Sequence, residues 1–477
     1  MLTIQQFSNL AVSMKVHFTA IGGSAMHNLA LALYKKGAIV SGSDDEILEP
    51  SRTRLANSNL LPEKDGWFPE KITKDLDAVI LGMHARTDNP ELLKAQELGV
   101  KIFSYPEYIY EQSKDKTRVV VGGSHGKTTI TAMILHVLKF WDKNFDYMVG
   151  AQLEGFDTMV QLTNDAPVII LEGDEYLSSP VDRRPKFHLY HPHIALLSGI
   201  AWDHINVFPT FENYVEQFQI FIGLIEDNGS LIYCENDAEV KRLAEKSKNT
   251  VQKISYGIPE YEIRDGITFL IPPAPLNRSV LMQSGKHGTE LKIFGEHNLM
   301  NLNGARLVCN KIGVNDAAFF KAISSFKGAA KRLELVDRND SIAVYKDFAH
   351  SPSKLKATIH AVKQQFAGRK IIACMELHTF SSLNENFLIQ YKDSMSDPDE
   401  AIVYYNPHTI EHKKLKPISD EQVKDAFGKN DLKVFTNSTE MKSHLLKTKK
   451  ENSVLLMMSS GNFDGIDFKK LAVEMIS

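Results

Sequence analysis

Eight residues constrain this chain more than any others. Gly122-Gly123-Ser124-His125-Gly126-Lys127-Thr128-Thr129 follow the apolar run Val119–Val121 and open a helical pattern at Lys127. Glycines at such a turn let backbone N–H groups converge on phosphate oxygens, and the helix N-terminus adds partial positive charge. In that arrangement Lys127 neutralises the β- and γ-phosphates and the Thr128 hydroxyl holds Mg²⁺. The spacing is shorter than the usual P-loop, since only Ser124 and His125 separate Gly123 from Gly126. The strand–turn–helix setting outweighs that departure. It predicts an ATP or GTP site on a parallel sheet, with a chance glycine turn as the alternative.

The rest of the chain has the rhythm such a sheet requires. Runs Val16–Ile21, Ala38–Ser43, Ala78–Leu81 and Lys101–Phe103 alternate with helical patterns at Met26–Lys36 and Pro90–Leu98. After the loop come Val168–Leu171, Ile194–Leu197 and Ser230–Tyr233, with a helix at Glu212–Ile225. Alternation of this kind implies parallel sheets with helices on their faces. Short pieces at Ile267–Ile271, Val280–Met282 and Glu290–Ile293, set between Pro and Gly turns, predict a small antiparallel insertion. Helices at Asn298–Ile312 and Asp316–Phe326 follow. Strands at Ser341–Tyr345, Lys370–Met375, Ala401–Tyr405 and Ser453–Met457 then make a last α/β unit. The charged stretch Glu111–Lys116 and the hinge-like Gly328-Ala329-Ala330 divide the 477 residues into three α/β domains, 1–116, 117–328 and 329–477. That count agrees with a length prior of about 150 residues per domain.

Composition excludes several classes. With Lys+Arg 55 against Asp+Glu 59, the net charge of -4 leaves no basic excess for a phosphate backbone, so no nucleic-acid partner is expected. Three separated cysteines (Cys234, Cys309, Cys374) are too few for a disulfide framework and suit a reducing cytoplasm. No run is long enough to span a bilayer, and the first residues show no signal peptide, so no membrane insertion is expected. They read as a short lead, with Met14 as well as Met1 able to serve as the start.

Other constellations sit where a parallel sheet delivers its functional groups, at strand carboxyl ends. Glu172-Gly173-Asp174-Glu175 crowds three acids that repel unless a cation sits among them, a solvated loop being the alternative. Trp202-Asp203-His204 ends the next strand and predicts a metal role. Gly22-Gly23-Ser24 after the first strand, with Asp44 after the second, has the layout of a nucleotide-sugar or dinucleotide site, although Ala20 and Ala25 stand where glycines are expected. His297, Asn298 and Asn301 open a helix, where an asparagine cap is the competing reading. Lys331-Arg332, Asp347 through Pro352, Glu376 through Thr379, and Ser459 through Phe463 mark the ends of elements in the last unit.

In this order the motifs resemble the Mur ligases, the ATP-dependent amide-forming enzymes of peptidoglycan synthesis. The matches run across essentially the whole chain, from Gly22-Gly23 and Asp44 through the Gly-Ser-His-Gly-Lys-Thr-Thr loop, Glu172 to Glu175, Asp203-His204, His297-Asn298 with Asn301, and Lys331-Arg332 to Asp347–Pro352. The resemblance implies a Rossmann-like UDP-sugar-binding domain, a central P-loop ATPase and a C-terminal Rossmann-like acceptor-binding domain that closes over the nucleotide. Within the family, Asp182 through Phe187, Tyr190, Pro192 and Ser460 through Ile466 look most like the branch that returns L-alanyl-γ-D-glutamyl-meso-diaminopimelate to UDP-N-acetylmuramate. The branch that adds L-alanine is the alternative.

By the same resemblance, Gly123 to Thr129, His297, Asn298, Asn301, Arg332 and Asp347 hold ATP. Thr128, Glu172 and His204 hold Mg²⁺, and Lys127, Glu172, His204 and Arg332 are the catalytic set. Gly22, Gly23, Ser24, Asp44, Asp174, Glu175, His350, His378, Ser460 and Asn462 face the substrates. The implied route phosphorylates the lactyl carboxylate of UDP-N-acetylmuramate, and the acceptor's amine then attacks the acyl phosphate. The chain departs from the family in three places. His378 stands where both branches have arginine, Ser351 replaces the second histidine of His-His-Pro, and Glu216–Gln219 offers no lysine for a carbamate. A kinase or GTPase-like switch, or a nucleotide-sugar sensor without chemistry, are the readings from other classes. Intact Lys127, Thr128, Glu172 and His204 argue against the sensor.

Overall fold

The computed structural model describes residues 13–83, 85–204, 207–264, 266–272, 288–328, 333–447 and 451–477. Three mainly parallel sheets follow one another along the chain. The first comprises β1 (Lys15–Thr19), β2 (Ile39–Ser43), β3 (Ala78–Leu81) and β4 (Ile102–Ser104) in the order β2-β1-β3-β4, all parallel. Helices Ser24–Lys35 and Pro90–Leu98 are among its connections, the second capped by Asn89 and ended by Gly99 at φ +69°.

The second sheet contains β5 (Thr117–Gly122), β6 (Asp146–Met148), β7 (Val160–Gln161), β8 (Val168–Glu172), β9 (Ile194–Leu197), β10 (Ser230–Cys234) and β11 (Gln252–Tyr256). Its order is β11-β10-β9-β5-β8-β6-β7, with only β7 antiparallel to its neighbour. Val119–Val121 is wholly buried because helices cover both faces, as expected of a central parallel strand. The antiparallel insertion is present as β12 (Tyr261–Arg264), β13 (Ile267–Leu270) and β14 (Thr289–Leu291). The expected piece at 280–282 lies outside the described residues.

The third sheet contains β15 (Glu334–Arg338), β16 (Ile342–Asp347), β17 (Lys370–Leu377), β18 (Glu400–Tyr405), β19 (Lys433–Phe435) and β20 (Ser453–Met458). The order is β15-β16-β20-β17-β18-β19, and β15 alone runs antiparallel. Each face of this sheet carries its own apolar cluster. By contrast, one cluster joins the first sheet to one face of the second, running from Val16 and Phe18 through Phe187 and Phe218 to Val251. The helices Lys127–Phe140 and Glu296–Lys311 pack the other face. Among the described residues, no helix is long and apolar enough to cross a membrane.

Candidate active site

The glycine-rich loop leaves the carboxyl end of β5, between β8 and β9, where an open parallel sheet forms its ligand crevice. Two glycines are obligatory there. Gly123 has φ +130° and Gly126 φ +81°; a side chain on the first would strike Ser198, and on the second the Asn301 amide. The Gly126 turn starts the helix Lys127–Phe140, so its first amides face the crevice.

Lys127 and three acids organise the floor. Its Nζ lies 2.6 Å from the Gly123 carbonyl and 2.5 Å from Glu175 Oε2. Glu175, only 1% exposed, also accepts from the Tyr214 hydroxyl at 3.0 Å and faces His204 Nε2 at 3.7 Å. Thr128 Oγ1 donates to Glu172 Oε1 at 2.7 Å, and the Gly150 amide donates to Glu172 Oε2 at 2.8 Å. Burial pushes the Glu172 carboxyl up. Burial lowers Lys127, but Glu175 and Asp174 more than reverse it and hold the ammonium above its ordinary range. Asp174 is only partly buried, and although desolvation opposes its charge, Lys186 at 2.6 Å and Lys127 bring it down to about 2. His125 falls to about 4 through burial and the nearby Lys354 and Lys127 charges, so it is neutral near pH 7, and its Nδ1 meets Ser124 Oγ at 2.6 Å.

A cavity of about 420 Å³ gathers the loop 124–129, Glu172, Ser198, His297, Asn298 and Asn301 from the central unit with Asp347, His350 and Lys354 from the third. Asn298 does not cap its helix. Gly295 at φ +89° takes that position, and Asn298 Nδ2 donates back to the Phe294 carbonyl at 2.9 Å. Asp347 accepts from the Leu333 amide at 2.6 Å and the Ala349 amide at 2.7 Å, which pins the start of the third unit against its own sheet. His350 Nδ1 meets the Phe348 carbonyl at 2.7 Å. Lys331 and Arg332 lie outside the described residues.

The remaining expected residues form two separate groups. At the first sheet, the Gly22 amide donates to Asp44 Oδ2 at 2.7 Å, and a side chain at Gly22 would meet that oxygen at 2.9 Å. Ala20 holds φ +70°, so it takes the left-handed backbone where the sequence pattern expects glycine. Gly23 precedes the helix begun by Ser24. At the third sheet, His378 follows β17 and Ser460 and Asn462 follow its neighbour β20. None of the three lines the cavity. His378 faces Glu376 at 3.7 Å, Glu376 also binds the Phe463 amide at 2.9 Å, and Gly461 leaves no room for a side chain beside the imidazole. Ser460 Oγ is buried without a hydrogen-bond partner among the described residues.

Several residues at the site escaped the sequence reading, Ser198, Lys354 and Tyr214 among them. Ser198 directly follows β9, so the strand-end rule could have found it. Lys354 lies in the first turn of the helix Pro352–Gln365, one of many lysines. Tyr214 is an interior position of the helix Phe211–Gly223, and nothing in its surroundings distinguishes it from core.

The oxygen donors of Thr128 and Glu172 are the hard type that Mg²⁺ takes. Among the described residues, no three His, Cys, Asp or Glu side chains gather closely enough to hold an ion by themselves. An ion completed by phosphate oxygens fits that donor set, because Mg²⁺ is usually held by one or two carboxylates plus substrate phosphates.

Comparison with known proteins agrees with this architecture along the chain. Residues 15–117 match the Mur ligase family catalytic domain, 121–309 the Mur ligase middle domain, and 331–461 the Mur ligase glutamate ligase domain. A UDP-N-acetylmuramate–L-alanine ligase from Renibacterium salmoninarum is 30% identical over 399 residues, 82% of this chain and 81% of the relative. The solved UDP-N-acetylmuramate–alanine ligase from Thermotoga maritima superposes with a TM-score of 0.65 at 22% identity, over 97% of this chain and 98% of that one. The murein peptide ligase from Psychrobacter arcticus superposes with a TM-score of 0.60, also at 22% identity, over 97% and 99%. The two structures share the fold.

Proposed function

The chain belongs to the Mur ligase family of ATP-dependent amide-forming ligases, and within it we propose that UDP-N-acetylmuramate is the acid and L-alanyl-γ-D-glutamyl-meso-diaminopimelate the amine. The observation that carries the ATP half is the single cavity in which Lys127, Thr128 and Glu172 meet Asn298, Asn301 and Asp347. The tripeptide half rests on the Asp182–Phe187 stretch, in which Arg184 is held by Asp182 and Lys186 reaches Asp174 beside the site. The second reading, L-alanine as the amine, is favoured by the names of curated relatives such as the Renibacterium ligase. Residues 1–116 would bind the UDP-sugar, 117–328 ATP, and 329–477 the acceptor. Such nucleotide-sugar substrates suit the cytoplasm.

A carboxylate is a poor electrophile, so ATP's γ-phosphoryl group is first passed to the lactyl carboxylate. Catalysis of that transfer is positioning and charge neutralisation. Lys127 is aimed by the Gly123 carbonyl and Glu175, and it exchanges those partners for phosphate oxygens with little reorganisation. The amides of the loop and the helix start orient the chain of phosphates. Asn298 and Asn301 would face the nucleoside, Asp347 would reach it from the third unit, and Arg332 keeps the ATP role that the family resemblance implies. Thr128, Glu172 and His204 would hold Mg²⁺, which would supply charge neutralisation on the phosphates. Asp203 is held below the usual carboxylate range: burial opposes this, but His204 and Lys354 outweigh it, so Asp203 is an anion near the place where a cationic amine must arrive.

Phosphate release with ATP, Mg²⁺ and UDP-N-acetylmuramate tests the proposal. Turnover that requires the tripeptide is expected. Turnover with L-alanine alone would replace the acceptor by the second reading, and none with either would remove the ligase assignment.

A further inference from the structure

Beside the glycine loop lies a second cavity, about 500 Å³, where residues of the loop, of Trp202-Asp203 and of Ser351-Pro352 meet the segment 384–390, which no motif accounts for. Its inner wall is Ser124, His125, Trp202 and Asp203; its outer wall is Ser353, Lys354 and the segment 384–390 of the third unit. That volume is within the range of roughly 300–1,000 Å³ typical of sites for drug-sized molecules and far exceeds one alanine. Asp203 is part of its lining. Along its length Trp202, 40% exposed, and Phe387 offer apolar surface.

The outer wall carries two amides in register. Asn386 and Gln390 are four positions apart across the short helix Glu385–Leu388 and the turn Ile389–Tyr391, and both are exposed. Asn384 is committed to capping, its Oδ1 accepting from the Asn386 backbone amide at 2.9 Å. The side-chain amides of Asn386 and Gln390 have no hydrogen-bond partner among the described residues. Two amides that share a cavity lining with Lys354, Trp202 and Phe387 match the peptide groups and carboxylates of an extended short peptide. Three extended residues span about 10 Å. By contrast, His378 is engaged by Glu376 and does not line this cavity.

On the ligase reading this cavity takes the acceptor, and we propose that Asn386 and Gln390 on its wall determine specificity for a carboxylate-bearing short peptide over a single amino acid. The inference rests on the ligase reading above. The amine end would enter toward Asp203, and the distal peptide groups would lie against the amides and Lys354.

The test is steady-state kinetics of the full chain with ATP, Mg²⁺ and UDP-N-acetylmuramate, comparing the unaltered protein with Asn386→Ala, Gln390→Ala and the double variant. The double variant should raise KM for the tripeptide about tenfold, the effect of losing two hydrogen bonds. Its KM for ATP and for UDP-N-acetylmuramate should stay within about twofold, and its melting temperature should not change, as both side chains are on the surface. An unchanged tripeptide KM in the double variant, with the unaltered protein active, would overturn the proposal alone. Preference of the unaltered protein for L-alanine would also overturn it. Absence of turnover with any acceptor would instead overturn the ligase reading on which it stands.

Discussion

At the scale of single residues, Lys127 does two jobs that a double substitution separates. Its ammonium neutralises a buried carboxylate, Glu175, and on the proposed function it would also be the charge aimed at phosphate. Lys127→Ala should therefore lose turnover by about a hundredfold to a thousandfold or more. It should also lose about 3–5 kcal/mol of stability in chemical denaturation, since the buried Glu175 loses its ammonium partner. Adding Glu175→Gln should restore most of the stability and none of the turnover; recovered turnover would remove Lys127 from the chemistry. Asp44 gives a pH signature. Burial pushes its carboxyl up to about 6, against the pull of the Gly22 amide and with help from Asp45. Between about pH 4 and 6 the folded chain then keeps a proton that the unfolded chain has released, so this group's contribution to stability falls as pH rises. Denaturation of Asp44→Asn at pH 5 and 7 should show a smaller loss over that interval than the unaltered protein. An equal loss would show that the carboxyl titrates normally.

Elements show what could be read in advance and what could not. Ala78–Leu81, Pro90–Leu98 and Ile194–Leu197 were legible to the residue, because a fully apolar run or an Asn-Pro start and Gly stop leaves little choice. The glycine turn between β5 and its following helix was legible for the same reason: only glycine serves at Gly123 and Gly126. The edge strands β7, β15 and β19 were not, since two to five partly exposed residues carry no alternation. Nor was β6, whose three residues Asp146, Tyr147 and Met148 include an acid that is completely buried. Its reason is distant in sequence: Asp146 binds Lys116 Nζ at 2.6 Å, the Thr163 amide at 3.0 Å and the Thr163 hydroxyl at 2.9 Å. That pair fastens the entry of β5 to the far side of its sheet. Asp146→Ala should cost about 3–5 kcal/mol, because it leaves a buried ammonium without its partner. Urea unfolding measures it, and a loss under about 1 kcal/mol would mean that water reaches Lys116.

At the scale of the whole molecule, the two cavities beside the glycine loop lie between units rather than within one. Both cavities beside the glycine loop take one wall from the second unit and the other from residues 347–390 of the third. The first unit, in contrast, shares a continuous apolar cluster with the second and is joined to it by the Asn28–Met159 and Arg54–Gln152 hydrogen bonds. A ligand in the cavity between the second and third units therefore contacts both walls and is absent from the unfolded chain, so its binding energy adds directly to the stability of the assembled form. At a hundredfold excess over Kd that is about 2.7 kcal/mol, and units of this size gain about 2–4 °C per kcal/mol. A non-hydrolysable ATP analogue with Mg²⁺ should thus raise the melting midpoint by roughly 5–10 °C, on the same constants. Gly126→Ala should abolish the shift, because a methyl at φ +81° displaces the Asn301 amide from the loop it packs against. Lys354→Ala, on the opposite wall and in a different unit, should reduce the shift while leaving the unliganded midpoint in place. A full shift in Lys354→Ala would mean that the nucleotide is held by the second unit alone, and that the third unit closes only when the acceptor arrives.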